Sequence, residues 1–244
     1  MLKIVDIPIH SEDVISSLKK RVCIKDVCRQ VIYQRIIQEA STAFGIQVDA
    51  EEVQTESERF RHENRLQSAQ STMAWLEDQL ITADDWEEGI AQQIFSKKLS
   101  YHLFNDEAEK YFIQNKLDFD RVNLYRIVTS SKPVAYELLY QIEEEEISFY
   151  EAAQLYDINE DNRLVCGFQG KISRWQLSPQ VAAHVFGSVP GRPTEPIELE
   201  DCYAIFMVRN FIPAEYDATV QQHIIKKLFS EWLEREYERQ IHSY

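Results

Sequence analysis

The sequence predicts an α+β protein: a long helical N-terminal part, a small turn-rich sheet, and one long closing helix. Two observations carry this. Of six glycines, Gly167, Gly170, Gly187 and Gly191 fall in one stretch, with Pro179, Pro190, Pro193 and Pro196 in nearly the same place. Between Pro8 and Pro133 there is no proline at all. Glycine and proline punctuate regular structure, so the first half reads as long helices and the later part as turns.

From Ile24 to Phe44, apolar residues recur at Val27, Val31, Ile32, Ile36, Ile37, Ala40 and Phe44, which is helical spacing. Gly45 stands where a C-terminal cap belongs. Asp49-Ala50-Glu51-Glu52 reads as a capping box, opening a helix with Val53, Phe60 and Leu66. A third helix is expected to open at Ser71 or Thr72 and to carry Met73, Trp75, Leu76 and Leu80. A fourth starts around Ala83-Asp84-Asp85, with Trp86, Ile90, Ile94, Phe95, Leu99 and Leu103. Asn105 is read as the cap of a short fifth helix holding Ala108, Tyr111 and Phe112.

After Asp118 the pattern changes. Val122 to Val128 is β-branched and near-alternating, hence a strand. Pro133 opens a helix with Ala135, Leu138, Leu139 and Ile142, and Glu143 to Glu146 reads as its solvated end. Ser148-Phe149-Tyr150-Glu151 has the form of a capping box for a short helix. An irregular glycine-rich loop follows, then a helix from Leu177 to Phe186, then strands Pro193–Leu199 and Cys202–Phe211. Beyond Pro213, the residues Val220, Ile224, Leu228 and Trp232, with Ile225, Phe229 and Leu233 beside them, form a stripe wide enough to require a partner surface. The expected partner is the N-terminal helices, which divides the chain into 1–118, 119–212 and 213–244.

Charge narrows the function. With 26 Lys plus Arg against 41 Asp plus Glu, the net charge of −15 argues against nucleic acid and against an anionic membrane surface. No apolar run reaches the ~20 residues of a membrane span. The run from Met1 to Asp6, broken at Pro8, is not read as a signal peptide, and a cytoplasmic protein is expected. Cys23, Cys28, Cys166 and Cys202 form no CxxC pair, and His10, His62, His102, His184, His223 and His242 have no metal-ligand spacing. No metal and no cofactor is expected.

Several strings carry a resemblance. Residues from about Phe119 to Ile212 resemble the parvulin (FKBP-like) domain of peptidyl-prolyl isomerases, and the helical N-terminus with its returning last helix resembles the chaperone module of SurA-type foldases. Phe60-Arg61-His62-Glu63-Asn64-Arg65-Leu66, Trp75-Leu76 and Tyr111 to Phe119 look like the cyanobacterial branch of parvulin-like proteins. That branch typically lacks a signal peptide, and many of its members accompany peptide or protein export systems.

Against the family's His-Ile-Leu-Val strand stands Tyr125-Arg126-Ile127-Val128, with a tyrosine at the histidine position. The Gly-Gly-Asp-Leu-Gly-aromatic motif has become Arg163-Leu164-Val165-Cys166-Gly167-Phe168, with Val165 at the acidic position. The last strand's Gly-Tyr-His-Ile-Ile reads Cys202-Tyr203-Ala204-Ile205-Phe206, with Ala204 at the second histidine. The resemblance implies a pocket for a proline ring at Leu177 and Val181, with Phe168 and Ala204 beside it and Phe186 in the core. The catalytic candidates are Tyr125, the one hydroxyl at a cluster position, and Cys166. Their plainer readings are a packed strand residue and an inert thiol, since no histidine neighbours Cys166 in sequence.

Isomerisation needs no nucleophile and no metal. The barrier of roughly 18–20 kcal/mol falls when a site binds the twisted amide better than the planar one. The resemblance therefore implies a peptide-binding folding factor for proline-containing or unfolded clients, with weak isomerase activity. A holdase without turnover and an adaptor of an export or maturation system are the alternatives.

Overall fold

The computed structural model describes residues 2–4 and 7–242. The reading of the N-terminal run as no signal peptide rests in part on Met1, Val5 and Asp6, which lie outside the described residues. A two-stranded antiparallel hairpin pairs β1 (Leu2–Ile4) with β2 (Ile7–Ile9). The helices α1 (Ser11–Lys20), α2 (Ile24–Ala43), α3 (Ala50–Glu63), α4 (Ala69–Asp78) and α5 (Ala83–Gln114) follow. Next come β3 (Arg121–Thr129), α6 (Lys132–Glu143), α7 (Phe149–Tyr156), α8 (Glu160–Leu164) and β4 (Phe168–Ser173). The chain ends with α9 (Pro179–Gly187), β5 (Ile197–Glu198), β6 (Tyr203–Ile212) and α10 (Ala218–His242). The architecture is α+β, largely helical, with one four-stranded antiparallel sheet in the order β4-β3-β6-β5.

Local chemistry explains most boundaries. Asp49 and Glu52 exchange side-chain-to-backbone hydrogen bonds at the start of α3, at 2.9 and 3.1 Å. Ser148 and Glu151 do the same at the start of α7, at 3.2 and 3.1 Å. Helix α2 ends where Gly45 takes φ +66°, its N–H bonding Thr42 O while that of Ile46 bonds Ser41 O. This is the paired closure of a left-handed C-terminal cap. Helices α1, α3, α4, α6 and α8 close in the same way on Val22, Arg65, Leu80, Glu145 and Cys166, with φ between 51° and 60°. A chain so short of glycine places ordinary residues in a conformation that costs them roughly 1–2 kcal/mol each.

Several expectations are corrected. Leu66 lies beyond α3 and is buried by the reversal at Arg65. Helix α4 starts at Ala69 with Ser68 as its cap, ahead of Ser71 and Thr72. Asn105 caps nothing, because α5 runs unbroken to Gln114 and the side chain instead accepts from Gln221 at 3.0 Å. Helix α9 begins at Pro179, two residues after Leu177. The strand expected over Pro193–Leu199 shrinks to Ile197–Glu198, with Pro193 forming one isolated bridge to Met207. The expected irregular loop contains an edge strand, β4.

By its contacts the chain forms two compact units, 1–108 with 221–244 and 109–220. In the first, α10 buries Ile224, Ile225, Phe229, Leu233 and Tyr237. Each such side chain is worth roughly 1.5–3 kcal/mol of transfer free energy. Helix α10 meets α2 through Glu234, which accepts hydrogen bonds from Arg29 and from the Tyr33 hydroxyl. The Arg29 guanidinium lies 5.0 Å from the Tyr237 ring centroid.

The second unit has two cores, one on each face of the sheet. Val122, Leu124, Val128, Ala204, Phe206 and Val208 pack against Val181 and Val185 of α9. Ile127, Ile205 and Met207 pack against α6 and α7 through Leu138, Leu139, Phe149 and Ala153.

Candidate functional site

Strand alternation decides which side chains can meet. Tyr125 shares the α6–α7 face with Ile127, and its backbone pairs with Phe168 on one side and Met207 on the other. Its ring lies 5.1 Å from that of Phe168 and 5.0 Å, edge-on, from that of Tyr150 at the start of α7. Tyr150 and Phe168 are each 43% exposed. Beside them a cleft of about 390 Å³ is lined by Ile142, Ile147, Tyr150 and Met207, with Glu145 and Arg209 among its polar residues. Two half-exposed aromatic rings and the half-buried Tyr125 ring, next to this partly apolar cleft, suit a proline or aromatic side chain.

The other proposed pocket residues lie on the opposite face. Ala204 is fully enclosed and Val181 is 7% exposed, both in the α9-side core, so neither offers surface to a client. Leu177 is half-buried against the same core, and so is Phe186, as expected. The Arg174 guanidinium sits 4.1 Å from the Phe186 ring centroid, beside a smaller cleft of about 230 Å³. The sheet thus brings Tyr125 and Phe168 together and separates them from Leu177, Val181 and Ala204. Cys166, a half-buried free thiol at φ 51°, occupies the turn that leads into β4.

The sequence reading missed the network that positions this turn. Asp157 is fully buried. Its carboxylate accepts from the backbone N–H of Val128 at 3.0 Å and of Asn159 at 2.8 Å, and from the Asn162 amide. Asn162 Nδ2 also donates to Arg126 O at 3.1 Å, and Ile158 N donates to Val128 O at 3.0 Å. Ahead of the start of β4, the segment 157–167 thus supplies the hydrogen bonding along this part of β3. Gly167 completes the fit: a Cβ there would meet Arg126 O at 2.5 Å. The available signal was Asn159-Glu160-Asp161, an N-cap with an acidic first turn.

Among the described residues, no cluster of His, Cys, Asp and Glu is arranged to hold a metal ion. No helix is long and apolar enough to cross a membrane. On the α6–α7 face, burial and then Glu198 push the Tyr203 phenol above its ordinary range.

The sequence matches no protein-family model and no curated protein. Solved structures do match. The peptidyl-prolyl isomerase PrsA of Bacillus anthracis aligns over 87% of this chain and 97% of its own, at 15% identity and a TM-score of 0.53. The foldase PrsA of Streptococcus pneumoniae aligns over 100% and 92%, at 14% identity and a TM-score of 0.49. A structure of SurA-like chaperones from Campylobacter jejuni aligns over 99% and 94%, at 14% identity and a TM-score of 0.37. At such identities the likeness concerns fold alone, and the first match carries it. The chain has the fold of a PrsA-type foldase, a helical module combined with a parvulin-type sheet domain.

Proposed function

We propose that this protein is a peptide-binding folding factor that receives proline-containing or unfolded polypeptide on the α6–α7 face of its sheet. The supporting observation is the pair of half-exposed rings of Tyr150 and Phe168, packed on Tyr125 beside a partly apolar cleft. Apolar and aromatic surface of this kind binds side chains by burial and edge-to-face contact. It also lowers the polarity around a bound amide, where loss of resonance is easier than in water. On this reading isomerisation is slow, because apolar and aromatic residues stand where the family places its polar cluster. Tyr125 is the one hydroxyl at those positions.

The test is NMR exchange spectroscopy on short Xaa-Pro peptides, with and without the protein and its Tyr150→Ser variant. Faster cis/trans exchange that the variant loses supports an isomerase. Line broadening without faster exchange supports binding alone, and no effect on any peptide rejects the site.

Holding without turnover is the second reading, favoured by the enclosure of Ala204 and Val181. Suppression of client aggregation by the full chain, with unchanged exchange rates, identifies it. A cytoplasmic location, membership of the cyanobacterial branch and service to an export system complete the proposal.

A further inference from the structure

Helix α3 carries no buried side chain and lies along α5 with a groove on either side. In one groove the charges answer one another: Lys98 pairs with Glu52, and Arg59 with Glu56 and Glu63. The other groove, of about 770 Å³, differs. Its floor is apolar, made by Val48, Val53, Trp86, Ala91 and Phe95. Its rim carries Asp49, Glu58, Asp84, Glu87 and Glu88 against a single guanidinium, that of Arg61. Arg61 Nε is engaged with the Leu66 carbonyl at 3.3 Å. None of these five carboxylates forms an ion pair among the described residues; Asp49 accepts from the Glu52 backbone N–H, and Glu58 and Glu88 from the amides of Gln54 and Gln92.

We propose that this groove is a second binding site, for a short apolar polypeptide segment flanked by lysine or arginine. The volume lies within the range of sites that enclose a few side chains. Burial on Val53, Trp86 and Phe95 supplies the attraction, and the carboxylate rim supplies steering and the preference for basic flanks. The class of occupant rests on the peptide-binding reading above, but the site belongs to the helical unit and uses none of the sheet residues.

The test measures fluorescence anisotropy of a labelled Leu-Phe-Leu peptide with lysines on both flanks, and of a labelled neutral Xaa-Pro peptide, against the full chain. The variants are Glu58→Lys with Glu87→Lys, Ala91→Trp to fill the groove, Glu195→Lys with Glu200→Lys as an equal charge change elsewhere, and Tyr150→Ser in the sheet site. All four glutamates are exposed, and urea midpoints confirm that each variant folds. The expected result is about tenfold weaker binding of the lysine-flanked peptide by the first pair. Loss by Ala91→Trp, an unchanged control pair and unchanged Xaa-Pro binding complete it. Equal weakening by both charge pairs overturns the proposal in favour of net charge. Loss only in Tyr150→Ser overturns it while leaving the sheet site standing. Binding of neither peptide overturns both readings together.

Discussion

Asp157 Oδ2 accepts the backbone N–H of Val128 at 3.0 Å, a bond between a fully buried carboxylate and a central strand of the sheet. The same carboxylate serves Asn159 and Asn162, so one side chain ties the turn after α7 to β3. Asp157→Ala leaves the backbone N–H groups of Val128 and Asn159 without their acceptor and Asn162 Nδ2 with Arg126 O alone. The expected cost is about 2–4 kcal/mol, read as a lowered urea midpoint of the full chain. A loss under ~0.5 kcal/mol contradicts this account.

The left-handed helix ends make a prediction of opposite sign. Val22 is β-branched, 83% exposed and held at φ 59°. Val22→Gly removes the steric penalty without removing packing, and gains about 0.5–1 kcal/mol after the entropy of the unfolded glycine is counted. Glu145→Gly behaves similarly.

Gly167 and Gly45 separate backbone strain from crowding. Both have positive φ, but a Cβ at Gly45 meets nothing within 4 Å, whereas at Gly167 it meets Arg126 O at 2.5 Å. Gly45→Ala is expected to cost about 1 kcal/mol and Gly167→Ala clearly more, because the second also displaces β3 backbone. Equal costs in thermal or urea unfolding disprove the close approach.

The aromatic cluster predicts loss of binding without loss of folding. Tyr150→Ser combined with Phe168→Ser removes two half-exposed rings from the cleft. Peptide affinity is expected to fall about tenfold while stability changes by little more than ~1 kcal/mol. Val181→Asp, in the α9-side core, shows the reverse order of severity: unfolding first.

His223 gives a pH signature. Burial first, then Lys227 and Lys226, hold its imidazole below the usual histidine range. The unfolded chain therefore takes up the proton first as pH falls. The contribution is full above the ordinary histidine pKa and is lost between that value and the lower folded one. His223→Asn is expected to flatten the stability curve over this mildly acidic window, measured by urea unfolding at a series of pH values. An unchanged slope argues against it.

The fold was legible where side-chain chemistry is local. The spacing from Val27 to Ala40, the Asp49–Glu52 and Ser148–Glu151 boxes and the β-branched run at Val122 each specify an element within a few residues. Strand β4 was hidden, because Gly170 at φ +85° and a shift in register at Leu124/Tyr125 break its alternation. Asn105 resembles a cap in sequence, yet helix propensity on both sides carries α5 through it. The site was legible only in part. Alternation places Tyr125 and Ala204 on opposite faces once the register is known, and register is set by partners far away in the chain. Asp157 is one acidic residue among 41 Asp and Glu, and nothing local marks it as the buried one.

The division of the chain has a consequence for its synthesis. Residues 109–220 are complete as a unit once Val220 has been made, whereas residues 1–108 belong with 221–244. Glu234, which receives Arg29 and Tyr33, is added after both cores of the sheet unit already exist. On the ribosome the inner unit can therefore fold first, as domains do when their residues emerge. Helices α1 to α4 must wait for α10, so a nascent chain of this protein carries an unfinished helical half while the sheet unit is already complete.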